Sequence, residues 1–234
     1  MGKPLIEHVY LRAREAKTVD RVIVATDDKR IHEAVGQFGG ECVMTSSDHR
    51  SGSDRLGEVV KTLEADVVVN VQGDEPLINP DIIDGVIKVH DGGQGPDIAT
   101  VAVPIGNRLE YADRHVVKVV TDKNGYALYF SRAAIPHGWQ QGESEALRHV
   151  GIYAYSRAAL LKYVSMPAGR LEKAEDLEQL RALENGMSIY VVRVQEFNGM
   201  GVDRPEDIAK VEAVMRNMSS GPGKSAPGQS EGGV

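Results

Sequence analysis

The sequence predicts an α/β fold, a parallel sheet covered by helices on both faces. Three observations predict it. Helix and strand patterns alternate through residues 1–90, the signature of crossover connections between parallel strands. The strand candidates "RVIVAT" (21–26) and "DVVVNVQ" (66–72) are continuous apolar runs rich in β-branched residues, as strands buried on both faces require. Acids then follow these runs, in "TDD" at 26–28 and "GDEP" at 73–76. In open α/β sheets the carboxyl ends of the strands are where ligands bind. A buried, unpaired carboxylate costs several kcal/mol. Asp74 and Glu75 must therefore reach solvent, a cation or a hydrogen-bonding ligand.

The elements can be justified in order. "PLIEHVYLRAREA" (4–16) has apolar residues at helical spacing, with Pro4 suited to a first turn. After "RVIVAT", Asp27 or Asp28 caps a helix to about Phe38, and Gly39-Gly40 ends it. "ECVMT" is a second strand. Ser51-x-x-Asp54 fits a capping box that opens a helix to about Leu63. "DVVVNVQ" is a third strand, followed by a helix over 80–90 behind Asn79 and Pro80. Strands are expected at 97–105 and at 115–132, the latter a pair turned by Asn124-Gly125. Further strands are expected at 147–156 and 188–194, and helices at 157–164, 176–185 and 204–217. The domain is read as 1–218. Residues 219–234, "SSGPGKSAPGQSEGGV", lack side chains to bury and are expected to form a disordered tail.

The totals agree with one globular unit. The chain has 234 residues, 41% hydrophobic and 26% charged, enough for a real core. A formal net charge of −7 argues against a broad nucleic-acid face, though not against a local anion pocket. No apolar run approaches the roughly 20 residues that span a bilayer, and the start shows no signal-peptide core. The single cysteine, Cys42, rules out an intrachain disulfide and a cysteine zinc cluster, and it is expected to pack as a small hydrophobe. Together these features predict a soluble cytoplasmic protein.

Candidate chemistry gathers in five stretches. Asp74 and Glu75 either cap the turn before Pro76 or hold a metal. A triphosphate beside a carboxylate calls for Mg²⁺ between them, and Mg²⁺ favours one or two carboxylates plus phosphate oxygens and water. "GVDRPED" (201–207) offers a second acid in Asp203, which by itself reads as a plain helix cap. In "HVGIYAYSR" (149–157), strand alternation puts His149, Gly151, Tyr153 and Tyr155 on one face and Val150, Ile152 and Ala154 on the other. The first face suits either a polar ligand or solvent. "YFSR" places Ser131 and Arg132 at a strand end, where Arg132 can grip a carboxylate bidentately or stand as a surface charge. In "LEKAEDLEQLRALENG" (171–186), read as a helix, Glu172, Glu175 and Glu178 recur at spacing three and are expected mostly on a solvated face. His8, His32, His90, His115 and His137 show no metal spacing.

These stretches, in this order, resemble the 3-deoxy-manno-octulosonate (Kdo) cytidylyltransferase family. The segments that carry the likeness include "GKPLIEHV", "RVIVATDD", "HRSGSDRL", "NVQGDEPLI", "YALYFSRAAIP", "LRHVGIYAY", "LEQLR" and "GVDRPEDI", and they span about residues 2–215. The resemblance implies a Rossmann-like, GT-A-like nucleotidyltransferase fold with a mixed sheet and a dimerisation arm. It implies the reaction in which the anomeric hydroxyl of Kdo attacks the α-phosphate of CTP and pyrophosphate leaves, for lipopolysaccharide synthesis. By the same resemblance Asp74 and Asp203 are metal ligands, with Mg²⁺ as cofactor. Gln72, Ser131, Arg132, His149, Tyr153 and Glu178 line the Kdo pocket, and Ser51, Gly52 and Ser53 lie against the cytidine. A homodimer, with no nucleic-acid partner and no membrane insertion, is implied as well.

One departure stands out. The family opens with a strand and a loop of the type A-R-x-x-S-x-R-x-P-G-K-P-L, whereas "MGKPLIEHV" matches only the later G-K-P. The first strand, expected centrally between "RVIVAT" and "VVVNVQ", and its phosphate loop have no counterpart. Either the start is assigned at an internal Met, the reading favoured, or the chain has lost nucleotidyl transfer; as written it is expected to be inactive or nearly so. Two rivals remain: a synthetase for another CMP-sugar, such as a sialic acid, against which "YFSRAAIP" and "LEQLR" argue, and a noncatalytic sugar-acid-binding remnant.

Overall fold

The computed structural model describes residues 2–219, apart from Arg50, Gln94, residues 140–144, Asn198 and Asp203. In chain order the elements are α1 (Leu5–Arg14), β1 (Val24–Thr26), α2 (Lys29–Gln37), β2 (Cys42–Met44), α3 (Gly52–Val60), β3 (Val67–Asn70) and α4 (Pro80–Lys88). Then come β4 (Ile98–Pro104), α5 (Arg108–Ala112), β5 (Lys118–Thr121), β6 (Ala127–Ser131) and β7 (Leu147–Ser156). The chain continues through α6 (Arg157–Val164), α7 (Arg170–Glu175), α8 (Gln179–Glu184), β8 (Ile189–Arg193) and α9 (Pro205–Ser219). The tail expected from 219 onward thus begins with a helical residue, and 220–234 lie outside the described residues.

Local chemistry explains the boundaries. Asp28 caps α2 by accepting from Arg30 N–H, Ser51 caps α3 by accepting from Asp54 N–H at 3.2 Å, and Asn79 caps α4 with Pro80 in its first turn. Gly125 adopts φ +89° in the turn between β5 and β6, a conformation that costs glycine little.

β4 forms the centre. Its residues alternate between two apolar layers. Ile98 and Ala102 join Phe130, Leu147, Tyr155, Leu160 and Leu180 on one face. Ala99, Val101 and Val103 join Val150, Ile152, Ala154 and the α4 residues Ile82, Ile83 and Val86 on the other. The main sheet is mixed: β4 pairs in parallel with β8 and antiparallel with β7, and β5 pairs antiparallel with both β6 and β7.

The expectation of one parallel sheet through the first three strands needs correcting. β1 and β2 pair in parallel as a separate two-stranded sheet, while β3 runs antiparallel to β7. Among the described residues no strand bridges β1 and β3, so the ladder is broken there. Side-chain hydrogen bonds, such as those from Thr18 to Asp84, and packing hold the halves together instead. Val22 touches both the α4-side layer and a small cluster of Tyr10, Val24 and Val35, which half-buried Cys42 also joins.

The expected helix over "LEKAEDLEQLR" is also broken. Asp176 sits at φ 55° and ends α7, and the chain restarts as α8 at Gln179. The run is too rich in buried partners to remain one amphipathic helix, as the site shows.

Candidate functional site

The site forms where β7 exchanges neighbours. On one edge, residues 153–156 of β7 pair with β3, while Leu147 and Arg148 pair with β5. Between them, His149 N–H is tied off to Val117 O at 2.8 Å. A bulge against β4 between Thr100 and Val101 falls at the same place, and bulges commonly re-aim side chains beside active sites. A cavity of about 300 Å³ opens over this junction.

The cavity unites stretches far apart in sequence. Gly52 and Ser53 come from the first turn of α3, Gln72 from beyond β3, Tyr153 from β7 and Glu178 from the α7–α8 turn. All five are sequence-predicted site residues. Asp74, Ser51, Ser131, Arg132 and His149 do not line it, but most are one contact away. Ser51 hydrogen-bonds to Glu178. Ring centroids of His149 and Tyr153 are 5.4 Å apart. Arg132 donates to the carbonyl of Asp176, a lining residue, at 3.2 Å. Gly151 lies between His149 and Tyr153, and a Cβ placed there would meet nothing within 4 Å. The floor is therefore open, as the alternation of "HVGIY" implies.

Arg132 and Ser131 are held by the carboxylate of Glu175. Ser131 Oγ donates to Oε1 at 2.7 Å and Arg132 N–H to Oε2 at 3.0 Å. Arg132 Nε donates to Glu175 O at 2.9 Å. These bonds fix the guanidinium and leave some of its five N–H donors for another acceptor. The solvated acidic face expected for this segment is thus a correction. Glu172 is buried and doubly paired with Arg181, at 2.9 and 2.5 Å. Glu175 orders "FSR". Glu178 faces the cavity with its carboxyl pushed up by burial. Spacing three could not show this, because a left-handed residue interrupts the helix.

The electrostatics favour neutral polar contacts on the wall formed by His149 and Tyr153. Burial lowers His149 to about 3 and holds Tyr153 well above the usual phenol range, so both stay uncharged near neutrality. Tyr155 is raised by burial while hydrogen-bonded to Ser53. Tyr163 donates to Glu178 O at 2.9 Å and carries the Arg181 guanidinium 4.8 Å above its ring.

The acidic corner lies beside this wall. Val202 N–H donates to Asp74 O at 2.9 Å, so the chain next to residue 203 is bound to the loop after β3. Asp203 itself lies outside the described residues. The Asp74 carboxylate has no hydrogen-bond or ion-pair partner among the described residues. No cluster of three potential ligands forms among the described residues.

The sequence reading missed Gln179. It is 6% exposed, lines the cavity, and its Nε2 has no partner among the described residues. A buried donor without an acceptor is costly, which suits a group that waits for a ligand oxygen. Its place beside Glu178 in "LEQLR" was the available signal. Asn70, the polar end of the "VVVN" strand, is a second missed lining residue.

Fold and cavity together define an α/β nucleotidyltransferase. The family described as "Cytidylyltransferase" matches residues 1–189. A 3-deoxy-manno-octulosonate cytidylyltransferase from Trichlorobacter lovleyi is 48% identical over 92% of this chain and 89% of its own. One of the same name from Chlamydia trachomatis serovar L2 is 45% identical over 94% and 87%. The solved structure of CMP:2-keto-3-deoxy-manno-octonic acid synthetase complexed with CTP superposes with a TM-score of 0.88 at 42% identity, over 93% of this chain and 90% of that one. The chain belongs to the 3-deoxy-manno-octulosonate cytidylyltransferase family. At 13% identity and a TM-score of 0.61, a 4-diphosphocytidyl-2C-methyl-D-erythritol synthase from Anaerococcus prevotii shares the fold.

Proposed function

We propose that this chain joins CTP and Kdo to give CMP-Kdo and pyrophosphate. The supporting observation is the single cavity that brings Gly52 and Ser53 together with Gln72, Tyr153 and Glu178. In this reading Ser51, Gly52 and Ser53 receive the cytidine, with Ser53 braced by Tyr155. Gln72, Tyr153, His149 and Glu178 hold the sugar hydroxyls, and Ser131 and Arg132 orient the sugar carboxylate. The neutral His149 and Tyr153 suit hydroxyl groups, and the charge of Arg132 suits the acid. The anomeric hydroxyl then displaces pyrophosphate in line at the α-phosphate, a reaction in which positioning is most of the catalysis.

The acidic corner fits a hard cation: the Asp74 carboxylate is unengaged among the described residues, and Val202 ties the neighbouring segment to the same loop. Asp74 and Asp203 would hold Mg²⁺, which would supply neutralisation of the triphosphate charge. The same reading includes a cytoplasmic homodimer, supported by the family; no helix among the described residues is long and apolar enough to cross a membrane.

The test is pyrophosphate release by the purified chain with CTP and Mg²⁺, offered Kdo or N-acetylneuraminate. Because the likeness to 3-deoxy-manno-octulosonate cytidylyltransferases covers more than nine-tenths of this chain, release with Kdo alone is expected, against the near-inactivity that the missing first strand and phosphate loop suggested from sequence. Release only with the sialic acid, or Kdo binding with no release, would overturn the proposal; the latter is what a sugar-binding remnant predicts.

A further inference from the structure

Thr100, in the centre of β4, is fully buried, and nothing in the reaction outlined above uses it. Its Oγ1 lies 2.8 Å from Ile152 O, 3.3 Å from Val150 O and 2.9 Å from His149 Nε2. The two carbonyls belong to the stretch where β7 bulges away from β4. A hydroxyl has one proton to give and lone pairs to accept with. If that proton pointed at Nε2, the oxygen would face both carbonyl oxygens without a hydrogen between them. The proton therefore goes to Ile152 O, and Oγ1 accepts from Nε2–H.

The imidazole is neutral, because burial pushes it far below its ordinary range. A neutral ring carries one N–H. With that proton on Nε2, Nδ1 is a bare acceptor. It has no hydrogen-bond partner among the described residues, and its ring lies 5.4 Å, centroid to centroid, from that of Tyr153, which lines the cavity.

We propose that Thr100 is a positioning residue that fixes the tautomer of His149, so that Nδ1 accepts a hydrogen bond from a hydroxyl of the sugar acid. The proposal rests on the Kdo-binding reading of this wall. It deepens that reading by giving His149 a polarity: the ring accepts from a sugar hydroxyl and cannot donate to a sugar oxygen. Edge-on contact with Phe130, centroids 5.0 Å apart, holds the ring plane while Thr100 sets its proton. A Thr at this point also satisfies the carbonyl freed by the bulge, so one hydroxyl serves both strand geometry and ligand recognition.

The test combines spectroscopy with kinetics on the full chain. Histidine-selective ¹⁵N labelling and long-range ¹H–¹⁵N correlation report the tautomer, with His149 assigned by its loss in His149→Phe. Wild type and Thr100→Ser are expected to show a protonated Nε2 and a bare Nδ1. Thr100→Val is expected to lose that preference and to raise KM for Kdo about tenfold, with KM for CTP unchanged and kcat within about twofold. An Nδ1–H tautomer in the wild type would overturn the proposal, as would a Thr100→Val protein that keeps both tautomer and KM. Should Thr100→Val not fold, Thr100→Ser decides: a changed tautomer there overturns the proposal, and a retained one with unchanged KM supports it. If no CMP-Kdo forms with any variant, the functional reading fails while the spectrum still settles the role of Thr100.

Discussion

The ammonium of Lys118, fully buried in β5, donates to the main-chain carbonyl of Arg132 across 2.8 Å. Two more carbonyls, of Asp113 and Val116, accept from the same Nζ at 2.8 and 2.5 Å. A lysine thus acts as a three-pronged tie beneath the arginine assigned to the sugar carboxylate. Lys118→Met would leave three carbonyls short of a donor. The expected loss is about 3 kcal/mol in urea unfolding, with a higher KM for Kdo than for CTP, since the Arg132 end loosens first.

The Glu172–Arg181 pair is nearly as deep, at 8% and 7% exposure. Arg181→Met strands a buried carboxylate and removes the cation over Tyr163, which supports Glu178. A loss of about 3 kcal/mol is expected. The double change Glu172→Gln, Arg181→Met should recover part of it, because an uncompensated charge is worse than a missing pair. Denaturant midpoints of the wild type and the two variants check this.

Asp74→Asn separates chemistry from folding. The carboxylate has no ion pair or hydrogen bond among the described residues, so stability should change by less than about 0.5 kcal/mol. The kcat for pyrophosphate release should fall at least about a hundredfold if the carboxylate helps to neutralise the triphosphate. A normal kcat would remove Asp74 from the reaction.

His149 predicts an acid limb in stability. In the fold it stays neutral down to about pH 3, against an ordinary value of 6.5. Between those values the unfolded chain binds more protons, so the contribution is complete above 6.5 and shrinks as pH falls. By pH 5 the wild type should have lost about 2 kcal/mol relative to a His149→Gln variant. Parallel curves for the two proteins between pH 7.5 and 5 would contradict this.

Helices α3 and α6 touch through Gly57. A Cβ there would stand 2.8 Å from both methyls of Val164. Gly57→Ala should cost about 1–3 kcal/mol despite the better helix propensity of alanine, and Val164→Ala should relieve it. Thermal melts of the single and double variants test the pairing.

Much of this architecture is legible in the sequence. The caps at Asp28, Ser51 and Asn79 are local chemistry and appear where the residues announce them. The alternation of "HVGIYAYS" survives the bulge because two residues are skipped, which preserves the faces. Asp74 and Arg132 stand out as polar residues that follow apolar strands, whereas Ser51, Gly52, Ser53, Gln72 and Glu178 rest on the family resemblance. Long-range pairing was not legible. Nothing in "VVVNVQ" says that it runs antiparallel to β7, and nothing in "LEKAED" shows that Glu172 will meet an arginine nine residues on. Lys118 reads as an ordinary surface lysine in "HVVKVVT", because three carbonyl partners are a property of the fold.

The break between β1 and β3 has a mechanical consequence. β1 and β2 share a backbone ladder only with each other among the described residues, so α1, β1, α2 and β2 are tied to the rest by side-chain packing and by side-chain hydrogen bonds, such as those that the Asp84 carboxylate accepts from Thr18. The cavity wall at Tyr153, by contrast, lies in β7, which is stitched to β3, β4 and β5. Amide exchange should register this as two rates, fast in the first lobe and slow in β7. A ligand spanning both halves would then act as a clasp, slowing exchange in the loose lobe far more than along the wall it touches.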